Sequence, residues 1–115
     1  MTIDVSLEGA VQIVRMNRPE KKNAITAAMY GDMAAAITAG WADDTVRATL
    51  ILGTPGAFSS GNDIADFMQI AQQESKGSGE RGSHNVFDFL TAIITAEKPL
   101  LAGVDGLAIG VGTTL

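Results

Sequence analysis

Apolar positions along the chain switch between two spacings. Ile3 to Leu7 and Val11 to Met16 are short, β-branched and partly alternating, with Glu8-Gly9-Ala10 between them, which predicts a β-hairpin with Gly in its turn. Asn17 to Asn23 is a polar connection containing Pro19, and Thr26 stands where it can cap a helix. From Ala27 to about Gly40 the residues Ala28, Met29, Met33, Ala36, Ile37 and then Trp41 recur at three- and four-residue spacing, as one buried helix face requires, with Gly31 the residue that weakens the pattern. Val46 to Leu52 predicts a strand buried on both faces and Gly53 to Gly61 a loop. Asp63 to Gln73 predicts a helix with Ile64, Phe67, Met68 and Ala71 as its apolar face. Glu74 to His84, rich in Gly, Ser and charge, predicts a surface loop, and helical spacing resumes from Val86 to Ala96 until Lys98-Pro99 stops it. Leu100 to Val104 predicts a third buried strand, Asp105-Gly106 a turn, and Gly110 to Leu115 the start of another helix.

Strands alternating with helices in this order predict an α/β fold with a mainly parallel sheet and right-handed crossovers. At 115 residues the chain is at most one domain. It stops inside an apolar, Gly-rich helix start that expects more protein to cover it, so residues 1–115 are expected to be the N-terminal part of a single domain. Alone, such a chain is expected to be loose and dye-binding, or oligomeric.

A net charge of −5 argues against a general nucleic-acid binder, yet Arg15, Arg18, Lys21 and Lys22 place four of the eight basic residues in one short stretch. That stretch is either a phosphate-facing rim or a solvated basic loop. With no cysteine there is neither a disulfide frame nor a thiolate metal site. No secretory signal and no run of membrane-spanning length is present, and a soluble, cytoplasmic protein is expected.

The stretch Phe58-Ser59-Ser60-Gly61-Asn62-Asp63-Ile64 crosses from a strand to a helix. The first N–H groups of that helix point outward with the positive end of its dipole behind them, which suits a polarised oxygen. On local physics an ordinary loop with a Ser/Asn cap is equally compatible. Rival motifs fit worse. Gly56-x4-Gly61 has P-loop spacing, but Asn62-Asp63 stands where Lys-Ser/Thr is required, and Ser59 and Ser60 lack a nucleophile-elbow pattern. His84 is a lone histidine in a polar stretch, and Met29, Met33 and Met68 are expected to fill core gaps.

Phe58 to Ile64 resembles the oxyanion-hole segment of the crotonase (enoyl-CoA hydratase/isomerase) family, usually F-S/A-A-G-A-D-I/L. Two further stretches agree with it in order: Asn17-Arg18-Pro19-Glu20-Lys21-Lys22-Asn23-Ala24-Ile25, and Lys98-Pro99-Leu100 running to Asp105-Gly106-Leu107-Ala108-Ile109-Gly110-Val111-Gly112. The resemblance implies the first half of a crotonase-like spiral of strand-strand-helix units. It also implies an oxyanion hole of backbone N–H groups at Asn62 and Val111, which would stabilise an enolate-like state of an acyl-CoA thioester. Matching substrate-binding positions are Lys22, Asn23, Ala24, Ser60, Gly61, Asp63, Ile64 and Gly110, with Lys22 or Arg18 paired to a phosphate of the coenzyme. No cofactor is implied beyond coenzyme A as part of the substrate, no metal, no nucleic-acid or membrane partner, and assembly as a homo-oligomer (trimer or hexamer). Hydratases of the family use two glutamates. Thr114 stands in place of the first and the second would lie beyond Leu115, which favours isomerase-type activity over hydration. The alternative is a non-catalytic fragment or pseudoenzyme that binds acyl-CoA or a partner.

Overall fold

The computed structural model describes residues 2–75 and 81–109, and their side chains except those of 73–75 and 81–84. The expected helix start at 110–115, with Gly110, Val111 and Thr114, and the side chain of His84 lie outside the described residues.

Strands β1 (Ile3–Glu8) and β2 (Val11–Met16) form the expected hairpin, with Glu8 opposite Val11. After a 3-10 turn at Pro19–Lys21, helix α1 (Ala27–Ala42) crosses to β3 (Ala48–Leu52), which pairs parallel with β2. The strand β4 (Ala57–Ser59) and helices α2 (Ile64–Ser75) and α3 (Arg81–Ile94) then lead to β5 (Leu100–Gly103), parallel to β3. The main sheet runs β1-β2-β3-β5. A second pair joins β4 to β6 (Leu107–Ala108), also parallel. Only crossovers can return a chain to a parallel neighbour, so the helices are forced onto the sheet.

One face of the sheet is the core. Val14 and Ile51 lie side by side across the β2–β3 pairing, and Gln12 beside Thr49, whose hydroxyl donates to Gln12 Oε1 at 3.0 Å. Met29, Tyr30, Met33, Ala36 and Ile37 of α1 join them, and Phe89 and Ala92 of α3 close the cluster. The side chain of Thr26 accepts from Met29 N at 3.2 Å, the expected cap, and Asp66 of α2 accepts from Ala27 N at 2.9 Å. Lys98 directs its ammonium to the carbonyls of Gly40, Asp43 and Val46, the end of α1 and the turn after it. A cation there answers the negative end of the helix dipole.

Several expectations are corrected. The strand expected at Val46 begins at Ala48, and it alternates instead of burying both faces: Leu50 and Leu52 are half-buried on the side away from α1. Leu101 of β5 lies on that same side and is 55% exposed. The loop expected over Gly53 to Gly61 contains β4, and β6 follows the turn at Asp105-Gly106. Helix α3 begins at Arg81, five residues before the apolar spacing resumes. In α1 Ala28 is exposed, while Ala27 and Tyr30 are buried. Of the apolar face expected on α2, Phe67 packs on the core, whereas Ile64, Met68 and Ala71 are exposed. Gly31 is no defect in α1. A Cβ there would stand 3.0 Å from Asn85 Nδ2, and the glycine leaves room for Asn85 to donate to Ala27 O at 2.9 Å, pinning α3 to α1.

Candidate active site

The crossing from β4 to α2 is zipped to the 18–25 segment. Ser60 N donates to Lys22 O at 3.0 Å, Ile25 N to Gly61 O at 2.8 Å and Asp63 N to Ile25 O at 2.9 Å. The hydroxyl of Ser59 donates to Asn23 O at 3.0 Å and that of Ser60 to Lys21 O at 3.1 Å. Gly61, at φ +92, turns the chain so that both its carbonyl and the Asp63 N–H meet Ile25.

That turn fixes where the Asn62 N–H points. Within a trans peptide the C=O and the next N–H are antiparallel. The Gly61 carbonyl faces Ile25, so the Asn62 N–H faces away from it. By the same rule the Ser60 N–H faces Lys22 and the Ser59 carbonyl faces the opposite edge, where it accepts from Ile109 N at 3.0 Å. The Asn62 N–H therefore points to the side where the chain leaves β6. It has no intramolecular acceptor among the described residues. Both parallel strands end here, the position at which open α/β layers take ligands.

Asn23 is the buried pin of the zipped loops. It sits at φ 58, in the left-handed region that asparagine tolerates better than most residues, and is 0% exposed. Its Oδ1 accepts from Arg18 N at 2.8 Å, and its Nδ2 donates to Ala57 O at 2.8 Å and Thr54 Oγ1 at 3.1 Å. Lys22 before it, at φ 50, is exposed, and Ala24 is half-buried.

Asp63 caps α2, accepting from Asp66 N at 2.9 Å, and pairs with Arg18 at 2.6 Å, the two side chains 12% and 18% exposed. The Asp66 amide and then the Arg18 guanidinium hold its carboxyl below the usual value. Arg18 also donates to Ala24 O at 3.0 Å. The Arg18 guanidinium is thus engaged by Asp63 and Ala24 O, whereas Lys22 is exposed. Asn62 is exposed, and its side-chain Oδ1 accepts from the hydroxyl of Tyr30. Tyr30 is 1% exposed, its ring against Phe89 at 5.2 Å and edge-on to Phe67 at 6.2 Å, and burial pushes its pKa up to about 12.

The structure thus brings Lys22, Asn23, Ala24, Ser60, Gly61, Asn62, Asp63 and Ile64 together, while Gly110 and Val111 lie outside the described residues. The apolar spacing of α1 does not single out Tyr30; only its packing shows that it reaches the crossing. A concavity of about 700 Å³ lies between α1 and α3, lined by Ala34, Ala35, Thr38, Trp41 and Thr91, away from this crossing. No group of three or more His, Cys, Asp or Glu side chains that could hold a metal occurs among the described residues. No helix among them is long and apolar enough to cross a membrane.

The hairpin, helical crossovers and second strand pair are those of a crotonase-like α/β layer. A model of the enoyl-CoA hydratase/isomerase family matches residues 6–115, and the chain belongs to that family. Enoyl-CoA delta isomerase 2 of Rattus norvegicus is 38% identical over 111 residues, 96% of this chain and 28% of that protein. Carboxymethylproline synthase of Pectobacterium carotovorum is 31% identical over 103 residues, 89% of this chain and 40% of that protein. Among solved structures, enoyl-CoA hydratase/isomerase of Pseudoalteromonas atlantica superposes with a TM-score of 0.85 at 36% identity, covering 99% of this chain and 42% of that one. OdaA of Pseudomonas aeruginosa gives 0.84 at 41% identity, covering 98% and 43%. The chain spans less than half the length of each of these proteins.

Proposed function

We propose that the protein acts on acyl-CoA thioesters, with the Asn62 N–H as one of two backbone donors to the thioester oxygen and the Val111 N–H as the other. The observation that carries this reading is the direction of the Asn62 N–H, which has no internal acceptor among the described residues and faces the side on which the chain leaves β6. When a proton leaves the carbon beside a thioester carbonyl, negative charge develops on the oxygen. A fixed donor aimed at it lowers the barrier by roughly 3 kcal/mol. Lys22, exposed at the rim, is the cation for a coenzyme phosphate, and Ile64, 74% exposed at the start of α2, offers apolar surface beside the acyl thioester.

Double-bond migration is favoured over hydration. Thr114 replaces one glutamate of the hydratase pair, and enoyl-CoA delta isomerases recur among the relatives. Migration takes a proton from C2 and returns one to C4, which a single carboxylate can serve. Asp63 and Asp66 are not that carboxylate: the Asp66 amide and Arg18 hold the first ionised, and the second accepts from Ala27 N. The proton carrier therefore stands elsewhere in the protein. Because both carboxylates at the crossing are engaged, a protein that binds acyl-CoA without turnover is the second reading.

Two measurements test this. Conversion of a 3-enoyl-CoA and a 2-enoyl-CoA is assayed side by side, and butyryl-CoA is titrated while backbone amides are followed by NMR. The Asn62 amide proton is expected to move downfield on binding, with migration outpacing hydration. Saturation without movement of that proton removes the oxyanion reading; movement without turnover leaves the binding protein.

A further inference from the structure

We propose that Tyr30 is a positioning residue for the backbone donor of Asn62. The proposal rests on the oxyanion reading above but is argued from different contacts. Where the family pattern has alanine, this chain has Asn62, and its side-chain oxygen accepts from the Tyr30 hydroxyl. The backbone at Asn62 is held on one side by the pairing with Ile25; the Tyr30 bond adds a second hold through the side chain. A peptide tied at two points has less freedom to rotate its N–H away from a ligand oxygen, and such preorganisation is what makes a donor effective.

Tyr30 is well placed to serve as the fixed end. It lies in the first turn of α1, its N donates to Thr26 O at 3.1 Å, and its ring is buried between Phe67 of α2 and Phe89 of α3. The start of α1 is itself tied to α2 through Ala27 N and Asp66. A movement of α2 or α3 relative to α1 would thus be felt at the hydroxyl, and through it at Asn62. The bond also satisfies the buried hydroxyl, which would otherwise lack an acceptor.

Tyr30→Phe keeps the ring and removes the hydroxyl; Asn62→Ala removes the acceptor and keeps the backbone N–H. Two readouts are used: the 15N order parameter of the Asn62 amide in the ligand-free chain, and butyryl-CoA affinity. Tyr30→Phe is expected to lower the order parameter from the rigid range near about 0.85 toward the flexible range below about 0.6. It should weaken butyryl-CoA binding about two- to tenfold, the range of one neutral hydrogen bond. In an Asn62→Ala background the same substitution should change neither quantity further. An unchanged order parameter in Tyr30→Phe, or an equal loss in the Asn62→Ala background, overturns the proposal. If the parent chain does not shift its Asn62 amide with butyryl-CoA, the oxyanion reading fails, while the ligand-free order parameter still decides whether Tyr30 holds Asn62.

Discussion

Replacing Asn23 with alanine should be among the most damaging single changes outside the apolar core. The residue is 0% exposed and holds three side-chain hydrogen bonds: Arg18 N to Oδ1 at 2.8 Å, Nδ2 to Ala57 O at 2.8 Å and Nδ2 to Thr54 Oγ1 at 3.1 Å. Ala57 O retains Thr54 N as a donor, and the Thr54 hydroxyl can rotate, so each of those losses is about 1 kcal/mol. The Arg18 N–H loses its acceptor in a part-buried position, at about 1–3 kcal/mol. A β-carbon without a local hydrogen-bonding group at φ 58 adds a fraction of the roughly 1–2 kcal/mol left-handed penalty. The sum is roughly 3–6 kcal/mol, a large part of a typical domain's stability. With a urea slope of about 1–2 kcal/mol per molar, the midpoint should fall by at least about 1.5 M, followed through Trp41 fluorescence and circular dichroism. Asn23→Gly loses the same bonds but relieves the backbone, so it should be about 1 kcal/mol less harmful than Asn23→Ala. Asn23→Asp keeps the Arg18 acceptor but turns a carboxylate oxygen onto Ala57 O. Burial raises the pKa of the introduced carboxyl, so its damage should ease as the pH falls and it regains a proton to donate. A midpoint within experimental error of the parent for Asn23→Ala, or a glycine variant worse than the alanine, would refute this account of the pin.

Three further outcomes are expected. Tyr30 is the one tyrosine in the chain, so an alkaline absorbance titration reads it alone: the midpoint should lie near about 12 in the folded protein and near 10 in urea. Because the folded value is raised, the protonated phenol favours folding, and stability should be unaffected below pH about 10 and fall from there upward. Asp63 has the opposite sign: its folded pKa is lowered from 3.8, so its contribution is full above about pH 4 and drains as the pH falls through the folded value. Asp63→Asn should accordingly cost stability at neutral pH and little in strong acid, and a loss that is the same at both, measured by urea unfolding, would contradict the ion-pair and cap assignment. Lys98→Met removes the ammonium from the carbonyls of Gly40, Asp43 and Val46 and should cost about 1.5–3 kcal/mol, with hydrogen exchange rising first at the end of α1.

Elements whose burial is one-sided were legible in the chain. Strand β2 and the core face of α1 show their period because one side packs on the core and the other does not. Illegible were elements whose reasons lie far along the chain. β4 and β6 are too short to show a period and exist because they pair with each other. The polar first turn of α3 runs ahead of its apolar spacing and is secured by Asn85 on Ala27 O. At the site, the motif from Phe58 to Ile64 located the crossing, but a motif names residues and not directions. The N–H of Asn62 is aimed by Gly61 and Ile25, Arg18 is taken by a carboxylate forty-five positions on, and Tyr30 arrives from a helix whose sequence shows only an apolar stripe. Asn23 offered one usable local signal: asparagine is a residue that accepts the left-handed backbone it adopts.

The arrangement at the crossing also explains why a backbone donor suits this place better than a side chain. The neighbouring polar groups are turned inward: the hydroxyls of Ser59 and Ser60 on carbonyls of the 18–25 segment, Asp63 on Arg18 and on the start of α2, Asn23 on β4. Moving the Asn62 peptide would break the bonds of Gly61 and Asp63 to Ile25 together, each about 1 kcal/mol in net terms. A side-chain donor would keep its rotamers and lose entropy whenever it engaged a ligand. The peptide N–H is held by bonds formed on folding and has no acceptor among the described residues. On the proposed reading, rigidity supplied by bonds that never touch the ligand is what would let the Asn62 amide act as a directed charge.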